Sequence, residues 1–406
     1  MNSITTKIYN ATIITGDRLI DDGYLLIKDG IIVKIGRHDI ELSEEDMAGD
    51  ISSIDAKGNY LSPGFIDIHV HGGGGHDFMD GTEEAFLAIA ALHARYGTTS
   101  MVPTTLTSDK ASLLKTLEVY ESANKKNKSG AQFLGLHFEG PYLAMSQRGA
   151  QDPKYIRDPD PAEYKEVLAL SSSIKRWSAA PELTGAIEFG KYCRDSGVLP
   201  AIAHTDAIYE DVVEAFRNGF TLVTHLYSAM SGVTRRNAYR YAGVIESAYL
   251  IDEMDVELIA DGIHMPAPLL KLAYKIKGAD RIALITDAMR AAGMPEGDSI
   301  LGNIETGLKV IVEDGVAKLP DRSSFAGSVA TADRLVRTMV TIGEVPLVEV
   351  IKMITKTPAR IMGVHETIGS IAVGMVADLV IFDKDINIKQ TFIRGNSIGE
   401  VMSYEL

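Results

Sequence analysis

Residues 65–72 read Phe-Ile-Asp-Ile-His-Val-His-Gly, an apolar run that ends in two histidines with one residue between them. Successive side chains on a β-strand point to opposite faces, so His69 and His71 would project to the same side. The glycines at positions 72–75 allow the backbone to turn sharply and leave room above the pair. Two such imidazoles can bind one metal ion. The motif alone is equally compatible with two polar residues that merely close a strand.

Eight short apolar segments, each followed by a helical pattern or a long loop, occupy the middle of the chain. They cover residues 61–69, 99–103, 133–139, 176–180, 199–204, 221–225, 256–261 and 282–287. Short apolar runs that alternate with helices are typical of parallel βα units. Eight such units predict an α/β fold, a closed (β/α)8 TIM-like barrel.

Both ends of the chain differ from this middle part. Alternating apolar and polar residues with hairpin-type turns, such as Asp29-Gly30, fill the first 58 residues, and the last 40 look similar. We therefore predict a small β-sandwich domain formed by the N- and C-terminal segments, residues 1–58 together with 366–406. The barrel would then span residues 59–365.

Composition limits the classes of partner. The 406 residues are 46% hydrophobic, enough for a substantial core, and carry a net charge of -15, which argues against binding to nucleic acid or to an anionic membrane. No run of about 18 apolar residues predicts a membrane span, and the N-terminus lacks a secretory apolar segment. With the single cysteine, Cys193, no internal disulfide can form. We expect a cytoplasmic protein.

Histidine, aspartate or glutamate residues, whose side chains can bind metal ions, lie at the ends of several of the apolar segments. They are His69, His71, Glu139, His204, His225, Asp261 and Asp287. In a (β/α)8 barrel the chemistry lies at the carboxyl ends of the strands, so these side chains should meet at one mouth. Two histidines and a carboxylate suit zinc, and also iron or other first-row divalent ions. Each residue could instead be a satisfied polar group at a strand end.

The remaining histidines have plainer interpretations. His38, His93 and His365 fall in helical or loop contexts and are expected at the surface. His137, one strand period before Glu139, would either face the barrel interior or support that carboxylate.

Asp287 is the candidate general acid/base. A divalent ion lowers the pKa of water towards about 7 and polarises a carbonyl. A carboxylate facing that water can accept its proton and pass it to a leaving nitrogen. A helix cap for the residues that follow Asp287 is the structural alternative.

At this point the chain resembles the amidohydrolase superfamily, and within it the deacetylases of phosphorylated amino sugars. The resemblance covers nearly the whole length. Its motifs are Pro-Gly-Phe-Ile-Asp-Ile-His-Val-His-Gly at 63–72, His-Phe-Glu-Gly-Pro-Tyr-Leu at 137–143, His-Leu-Tyr-Ser-Ala-Met at 225–230, Ala-Asp-Gly-Ile-His at 260–264, Thr-Asp-Ala-Met at 286–289 and Gly-Met-Val-Ala-Asp-Leu-Val at 374–380.

The resemblance implies a metal centre. Glu139, His204 and His225 would hold one divalent ion. Since this chain keeps His69 and His71, a second ion bridged by Glu139 is expected as well. One or two ions per subunit, zinc or iron, would be bound, with Asp287 as the general acid/base.

The resemblance also implies substrate contacts. His264 would contact the sugar. Arg236, from the basic stretch Thr-Arg-Arg-Asn-Ala-Tyr-Arg at 234–240, would bind phosphate in the active site of a neighbouring subunit, which implies a homodimer or a higher homo-oligomer. A solvated loop is the alternative for this stretch. Further substrate-binding positions are Ala150, Gln151, Ser228, Ala229, Phe325, Ala326 and Gly327.

Two of these positions depart from the family pattern. Ser228 stands where relatives usually have asparagine, and Gln151 stands where they usually have histidine. Because neither is a metal ligand, the reaction class is better supported than the substrate. The resemblance implies hydrolysis of the acetamide of N-acetylglucosamine 6-phosphate to glucosamine 6-phosphate and acetate. The alternatives are a deacetylase for another N-acylated amino sugar, such as N-acetylgalactosamine 6-phosphate, another amidohydrolase, or a scaffold without activity.

Overall fold

The computed structural model describes residues 5–37 and 51–398 of the chain, and strands and helices alternate through most of them. The strands are β1 (Thr5–Ile14), β2 (Leu19–Lys28), β3 (Ile31–Arg37), β4 (Ile51–Asp55), β5 (Tyr60–Pro63), β6 (Phe65–Val70), β7 (Gly72–Gly73), β8 (His76–Asp77), β9 (Thr98–Thr105), β10 (Gln132–Phe133), β11 (Leu136–Glu139), β12 (Ile174–Ala179), β13 (Leu199–Ile202), β14 (Leu222–Val223), β15 (Thr234–Arg236), β16 (Tyr239–Tyr241), β17 (Asp255–Ile259), β18 (Ile282–Ile285), β19 (Gly297–Leu301), β20 (Leu308–Glu313), β21 (Val316–Lys318), β22 (Phe325–Ser328), β23 (Leu379–Phe382), β24 (Ile388–Ile393) and β25 (Asn396–Ile398). The α-helices are α1 (Glu83–Arg95), α2 (Lys110–Lys126), α3 (Pro161–Leu170), α4 (Ala186–Asp195), α5 (Tyr209–Arg217), α6 (Val244–Leu250), α7 (Ala267–Lys277), α8 (Ala332–Thr341), α9 (Leu347–Ile354) and α10 (Lys356–Ile361).

Eight parallel strands form a nearly closed barrel, in the order β6, β9, β11, β12, β13, β14, β17 and β18. The short strand β10 pairs beside the first half of β9. The two ends of the sheet meet where the backbone N–H of Asp287 donates to the carbonyl of His69, at 2.9 Å. The predicted (β/α)8 barrel is thus confirmed, with helices between its successive strands.

One predicted barrel strand is divided between two sheets. The pattern indicated a continuous strand over 61–69, but β5 pairs with β1 and with β23, and the barrel strand β6 begins only at Phe65. Gly64 lies between them, where a Cβ atom would overlap the side chain of Thr99. This glycine allows the chain to pass close to β9 as it leaves one sheet for the other.

The terminal segments form a separate sheet, as predicted. Its strands follow the order β25, β24, β23, β5, β1, β2 and β3, with β4 paired to β1. Leu379 lies opposite Pro63, so distant parts of the chain pair directly. Its core includes the buried side chains of Ile8, Ile13, Leu25, Leu61, Leu379 and Phe392. The domain limits 1–58 with 366–406, and 59–365, stay predictions.

Two antiparallel additions lie near the carboxyl ends of the barrel strands and have no counterpart in the sequence analysis. Strands β19–β22 form a four-stranded sheet, and β15 and β16 form a hairpin. The first sheet is attached to the end of β18, because the backbone N–H of Ser328 donates to the carbonyl of Asp287 at 2.8 Å. The predicted substrate-binding positions 325–327 belong to strand β22 of this sheet.

Within residues 5–37 and 51–398, no helix has both the length and the apolar character needed to cross a membrane. Cys193 is buried in α4, and His38 lies outside the described residues.

Candidate metal centre and active site

The barrel brings together the predicted metal ligands and the predicted acid/base at the carboxyl ends of its strands. His69 lies in β6 and Glu139 is the last residue of β11. Three residues each lie two positions beyond a strand end: His204 after β13, His225 after β14 and Asp287 after β18. All are buried or nearly so, as is His71. The structure therefore brings these six side chains together at one mouth, whereas the seventh predicted residue, Asp261, contacts His264; their roles stay predictions.

Three of these residues have an unusual backbone. His204, His225 and Asp287 have positive φ values of 46°, 31° and 48°. This region costs a non-glycine residue about 1–3 kcal/mol and persists only where neighbours hold it. Hydrogen bonds do so here: Ala144 N–H donates to the His204 carbonyl and Ser228 N–H to the His225 carbonyl, both at 2.9 Å.

Glu139 is at the centre of the cluster. Its Oε1 lies 3.0 Å from His225 Nε2 and 3.4 Å from His204 Nε2. The same oxygen lies 3.5 Å from His69 Nε2, and Oε2 lies 3.4 Å from His71 Nε2. Two groups of three potential ligands therefore share this carboxylate, and within each group the ligand atoms lie within 4.8 Å of one another.

These spacings fit a divalent cation. Ligand atoms about 2.0–2.1 Å from a zinc ion lie roughly 3.0–3.4 Å from each other in octahedral or tetrahedral geometry. His69 Nε2 and His71 Nε2 are 3.2 Å apart, and Glu139 Oε1 and His225 Nε2 are 3.0 Å apart. A cation between such atoms would satisfy lone pairs that otherwise face one another. Imidazoles and a carboxylate are also the donor set expected for zinc or iron.

The pKa shifts within the cluster also fit a cation-binding site. Burial opposes the ionisation of Glu139, but His69, His204 and His225 outweigh it and hold the carboxyl pKa well below its usual value. Burial likewise opposes protonation of His71, yet contacts with Asp287 and Glu139 raise its pKa well above 6.5. The buried carboxylates thus attract positive charge, which a divalent ion would supply in place of protons.

Asp287 adjoins the second ligand group. Its Oδ1 lies 3.1 Å from His71 Nε2 and 3.4 Å from His69 Nε2. Burial raises the pKa of the Asp287 carboxyl, but the charge of His69 and the hydrogen bond to His71 lower it by more. The pKa therefore lies below its usual value. Asp287 therefore remains an ionised carboxylate that can accept a proton.

Hydrogen bonds donated by Nδ1 fix the orientation of several of the rings. His69 Nδ1 donates to Glu257 at 3.3 Å, and His204 Nδ1 donates to the Gln147 carbonyl at 2.8 Å. In each neutral ring Nε2 is then the unprotonated nitrogen, which faces Glu139 and can serve as a metal ligand. His264 Nδ1 donates to the Asp261 carboxylate at 2.7 Å, which likewise fixes that imidazole.

Sequence reasoning missed a buried ion pair below the cluster. Arg176 and Glu257 are both fully buried and bonded to each other inside the barrel. A signal was present, since each places a charge within an apolar strand, where an unpaired charge is costly.

Gln151 directly contacts Glu139, the carboxylate shared by the two groups of potential ligands. Its amide Nε2 donates to Glu139 Oε2 at 2.7 Å, and its Oε1 accepts the backbone N–H of Thr107 at 2.9 Å. The side chain is buried. These two bonds hold the Gln151 amide against a predicted metal ligand.

A cavity of about 580 Å³ opens above the cluster. The predicted substrate-binding residues that line it are Ala150, Gln151, Ser228, Ala229, His264, Phe325 and Gly327. Ala326 is fully buried and does not line it. Arg236 is also absent from its wall, because it lies exposed on the β15–β16 hairpin with its guanidinium 5.4 Å from the Tyr241 ring centre. The sequence analysis missed Tyr227, Lys318 and Arg322, which line the cavity too.

The structure shows the positions of three histidines outside the cluster. His137 lies inside the barrel, where its Nε2 and the Ser178 hydroxyl share a hydrogen bond of 2.6 Å. His93 is fully buried, so its expected surface position is wrong: its Nε2 donates to the Gly72 carbonyl at 2.9 Å, behind the turn that follows His71. The side chain of His365 is 48% exposed, as expected.

Comparison with known proteins places this geometry in context. The Amidohydrolase family profile matches residues 60–398. An N-acetylglucosamine-6-phosphate deacetylase from Lysinibacillus sphaericus is 35% identical over 96% of both chains. An N-acetylgalactosamine-6-phosphate deacetylase from Escherichia coli O157:H7 is 32% identical over 94% of this chain and 96% of its own length.

Solved structures agree with this relationship. N-acetylglucosamine-6-phosphate deacetylase from Pasteurella multocida superposes with a TM-score of 0.89 at 28% identity, covering 97% of this chain and 99% of that one. A mutant N-acetyl-D-glucosamine-6-phosphate deacetylase from Mycobacterium smegmatis, solved in complex with N-acetyl-D-glucosamine-6-phosphate, gives a TM-score of 0.87 at 29% identity. That superposition covers 98% of this chain and 100% of the mycobacterial one.

Proposed function

The chain belongs to the amidohydrolase family, a family of hydrolases that act on C–N amide bonds, and on that premise we propose that it deacetylates N-acetylglucosamine 6-phosphate to glucosamine 6-phosphate and acetate. The observation that carries the proposal is the convergence of Glu139, His204 and His225 beside Asp287 at the floor of a sugar-sized cavity. The full-length similarity to deacetylases of this substrate supports it.

The proposed reaction requires a metal centre. Glu139, His204 and His225 would hold one divalent ion, and His69, His71 and Glu139 a second, zinc or iron in each case. A bound ion of this kind lowers the pKa of water towards about 7 and polarises the acetamide carbonyl.

Side chains of the protein would transfer the proton and orient the substrate. Asp287, ionised and directed at the second ligand group, accepts the proton of the attacking water and delivers it to the departing amine. His264, held by Asp261 through Nδ1, presents its other nitrogen to the cavity and orients the sugar or stabilises the developing oxyanion.

Substrate recognition is divided among several elements. Ala150, Gln151, Ser228, Ala229, Phe325 and Gly327, which line the cavity, would surround the sugar, whereas the buried Ala326 could only support its neighbours in β22. The exposed Arg236 of this chain would bind the phosphate of a substrate in the partner subunit of a homodimer or higher homo-oligomer. The expected cytoplasmic location is part of the same proposal.

Ser228 favours a second candidate substrate. A serine hydroxyl is shorter than the asparagine amide usual at this position and leaves more room in the cavity wall. N-acetylgalactosamine 6-phosphate, the substrate named for the Escherichia coli O157:H7 relative, is therefore the alternative.

Acetate release tests the proposal. The purified protein is assayed with N-acetylglucosamine 6-phosphate, N-acetylgalactosamine 6-phosphate and unphosphorylated N-acetylglucosamine. We expect the first to have the highest kcat/KM and the unphosphorylated sugar the lowest. A preference for the galacto epimer would support the alternative, and no release from any of the three would overturn both assignments.

A further inference from the structure

The buried pair Arg176–Glu257 touches both ligand groups of the metal centre. Glu257 Oε2 accepts His69 Nδ1–H and the backbone N–H of His225, each at 3.3 Å. His69 belongs to one ligand group and His225 to the other. Among the contacts of the described residues, this single carboxylate oxygen therefore links the supports of both groups.

The guanidinium of Arg176 contacts the residue that precedes each of these two histidines. Arg176 donates through one nitrogen to the Ile68 carbonyl at 3.2 Å and through the other to the Thr224 hydroxyl at 2.7 Å. Ile68 precedes His69, and Thr224 precedes His225. Both charged side chains are fully buried, and the distance from Nη2 of Arg176 to Oε2 of Glu257 is 2.9 Å. The pair thus connects residues 68–69 with residues 224–225, next to the predicted ligands.

A purely structural explanation is the competing one. Removing both charges of a buried ion pair is often neutral for stability, because burial costs each ion its hydration. An ion pair retained only as part of the core could then be replaced without effect on the site. A pair retained to orient ligands could not, since the partners of metal-bound histidines set their direction and basicity.

We propose that Arg176 and Glu257 are positioning residues of the metal centre: the carboxylate holds the His69 ring with Nε2 towards Glu139 and fixes the backbone of His225, and the guanidinium keeps the carboxylate in place. The proposal rests on the metal binding of the proposed function. It does not depend on which sugar is the substrate.

Two double variants of matched size separate the explanations. Arg176→Met with Glu257→Gln removes both charges but keeps an acceptor oxygen at position 257, whereas Arg176→Met with Glu257→Leu removes the acceptor too. Zinc affinity is measured by competition with a chelating dye, after circular dichroism has confirmed the fold. We expect zinc to bind roughly ten- to a hundredfold more weakly to the leucine variant than to the glutamine variant.

A remote ion pair on the same strand provides the control. Asp255 begins β17 at the opposite end of the barrel and makes two hydrogen bonds to Arg360, at 3.0 and 2.7 Å. Asp255→Asn should lower the melting temperature and leave zinc affinity unchanged.

A single variant keeps the proposal testable if the double variants do not fold. Glu257→Asp retains both charges but shortens the side chain, so that it cannot reach Arg176 and His69 together. We expect weaker zinc binding from this variant as well.

Equal zinc affinity in the wild type, the glutamine variant and the leucine variant would overturn the inference, as would unchanged affinity in Glu257→Asp. Wild-type protein that binds zinc but deacetylates no amino sugar would instead contradict the proposed function and leave this inference standing.

Discussion

Glu139 and His225, 86 residues apart in sequence, face each other across the barrel mouth with 3.0 Å between Oε1 and Nε2. The other carboxylate oxygen of Glu139 lies 3.4 Å from His71. One side chain therefore belongs to both potential ligand groups, whereas each histidine belongs to one group only, so that mutation can distinguish the two groups.

Glu139→Gln should release metal from both positions, whereas His71→Ala should release it from one. An amide oxygen is a weaker ligand than a carboxylate, and His71 belongs only to the group of His69 and Glu139. Metal content per chain, measured by elemental analysis after gentle purification, checks both expectations. Equal loss in the two variants would contradict the binding of two ions that share Glu139.

Asp287→Asn should keep the metal and lose turnover. The amide cannot accept the proton of water, and loss of a general acid/base costs about two to four orders of magnitude in rate. Steady-state kcat and metal content are measured on the same preparation. A variant that retains near wild-type kcat would exclude Asp287 from proton transfer.

Arg236→Ala should raise the KM for phosphorylated substrate roughly ten- to a hundredfold, because charge-assisted hydrogen bonds contribute about 1.5–3 kcal/mol. Unphosphorylated sugar should be affected little. The neighbouring exposed residue on the same hairpin provides a matched control, Arg235→Ala. An equal loss for phosphorylated and plain sugars would argue against a phosphate contact.

The pH dependence of stability has a testable contribution from Asp378, in the terminal sheet. Burial raises the pKa of its carboxyl to about 6, against 3.8 for an exposed aspartate, although the Arg394 backbone N–H donates to it at 2.7 Å. The folded state therefore binds this proton more tightly than the unfolded state. The contribution of Asp378 to the free energy of unfolding is largest below about pH 4 and falls as pH rises through 6.

Asp378→Asn, which keeps an acceptor for Arg394, should remove that dependence. Relative to the wild type, the variant should gain up to about 3 kcal/mol between pH 4 and pH 6 and gain nothing more above it. Urea unfolding at several pH values measures the difference. A stability difference that is constant from pH 4 to pH 7 would show that the carboxyl of Asp378 titrates normally.

Much of the site could be predicted because its residues carry local signals. His69, Glu139, His204, His225 and Asp287 each close an apolar segment, and the carboxyl ends of parallel strands meet at one mouth. Strand periodicity and barrel topology together were enough to bring them into one cluster.

What could not be predicted depends on tertiary contacts. Gly64 separates two strands only because the side chain of Thr99 lies against it. His93 is buried because its partner is the Gly72 carbonyl, 21 residues earlier. Arg176 and Glu257 are acceptable in apolar strands only because each compensates the charge of the other. A charge within an apolar strand is visible in the sequence, but the partner of each of these residues is not.

The most direct measurement is acetate release from N-acetylglucosamine 6-phosphate by the protein as purified, after removal of metal with a chelator, and after zinc or ferrous iron is returned. The account predicts that chelation abolishes the activity and that one of these ions restores most of it. Activity that survives complete metal removal, or that is absent from the metal-loaded protein, would contradict it.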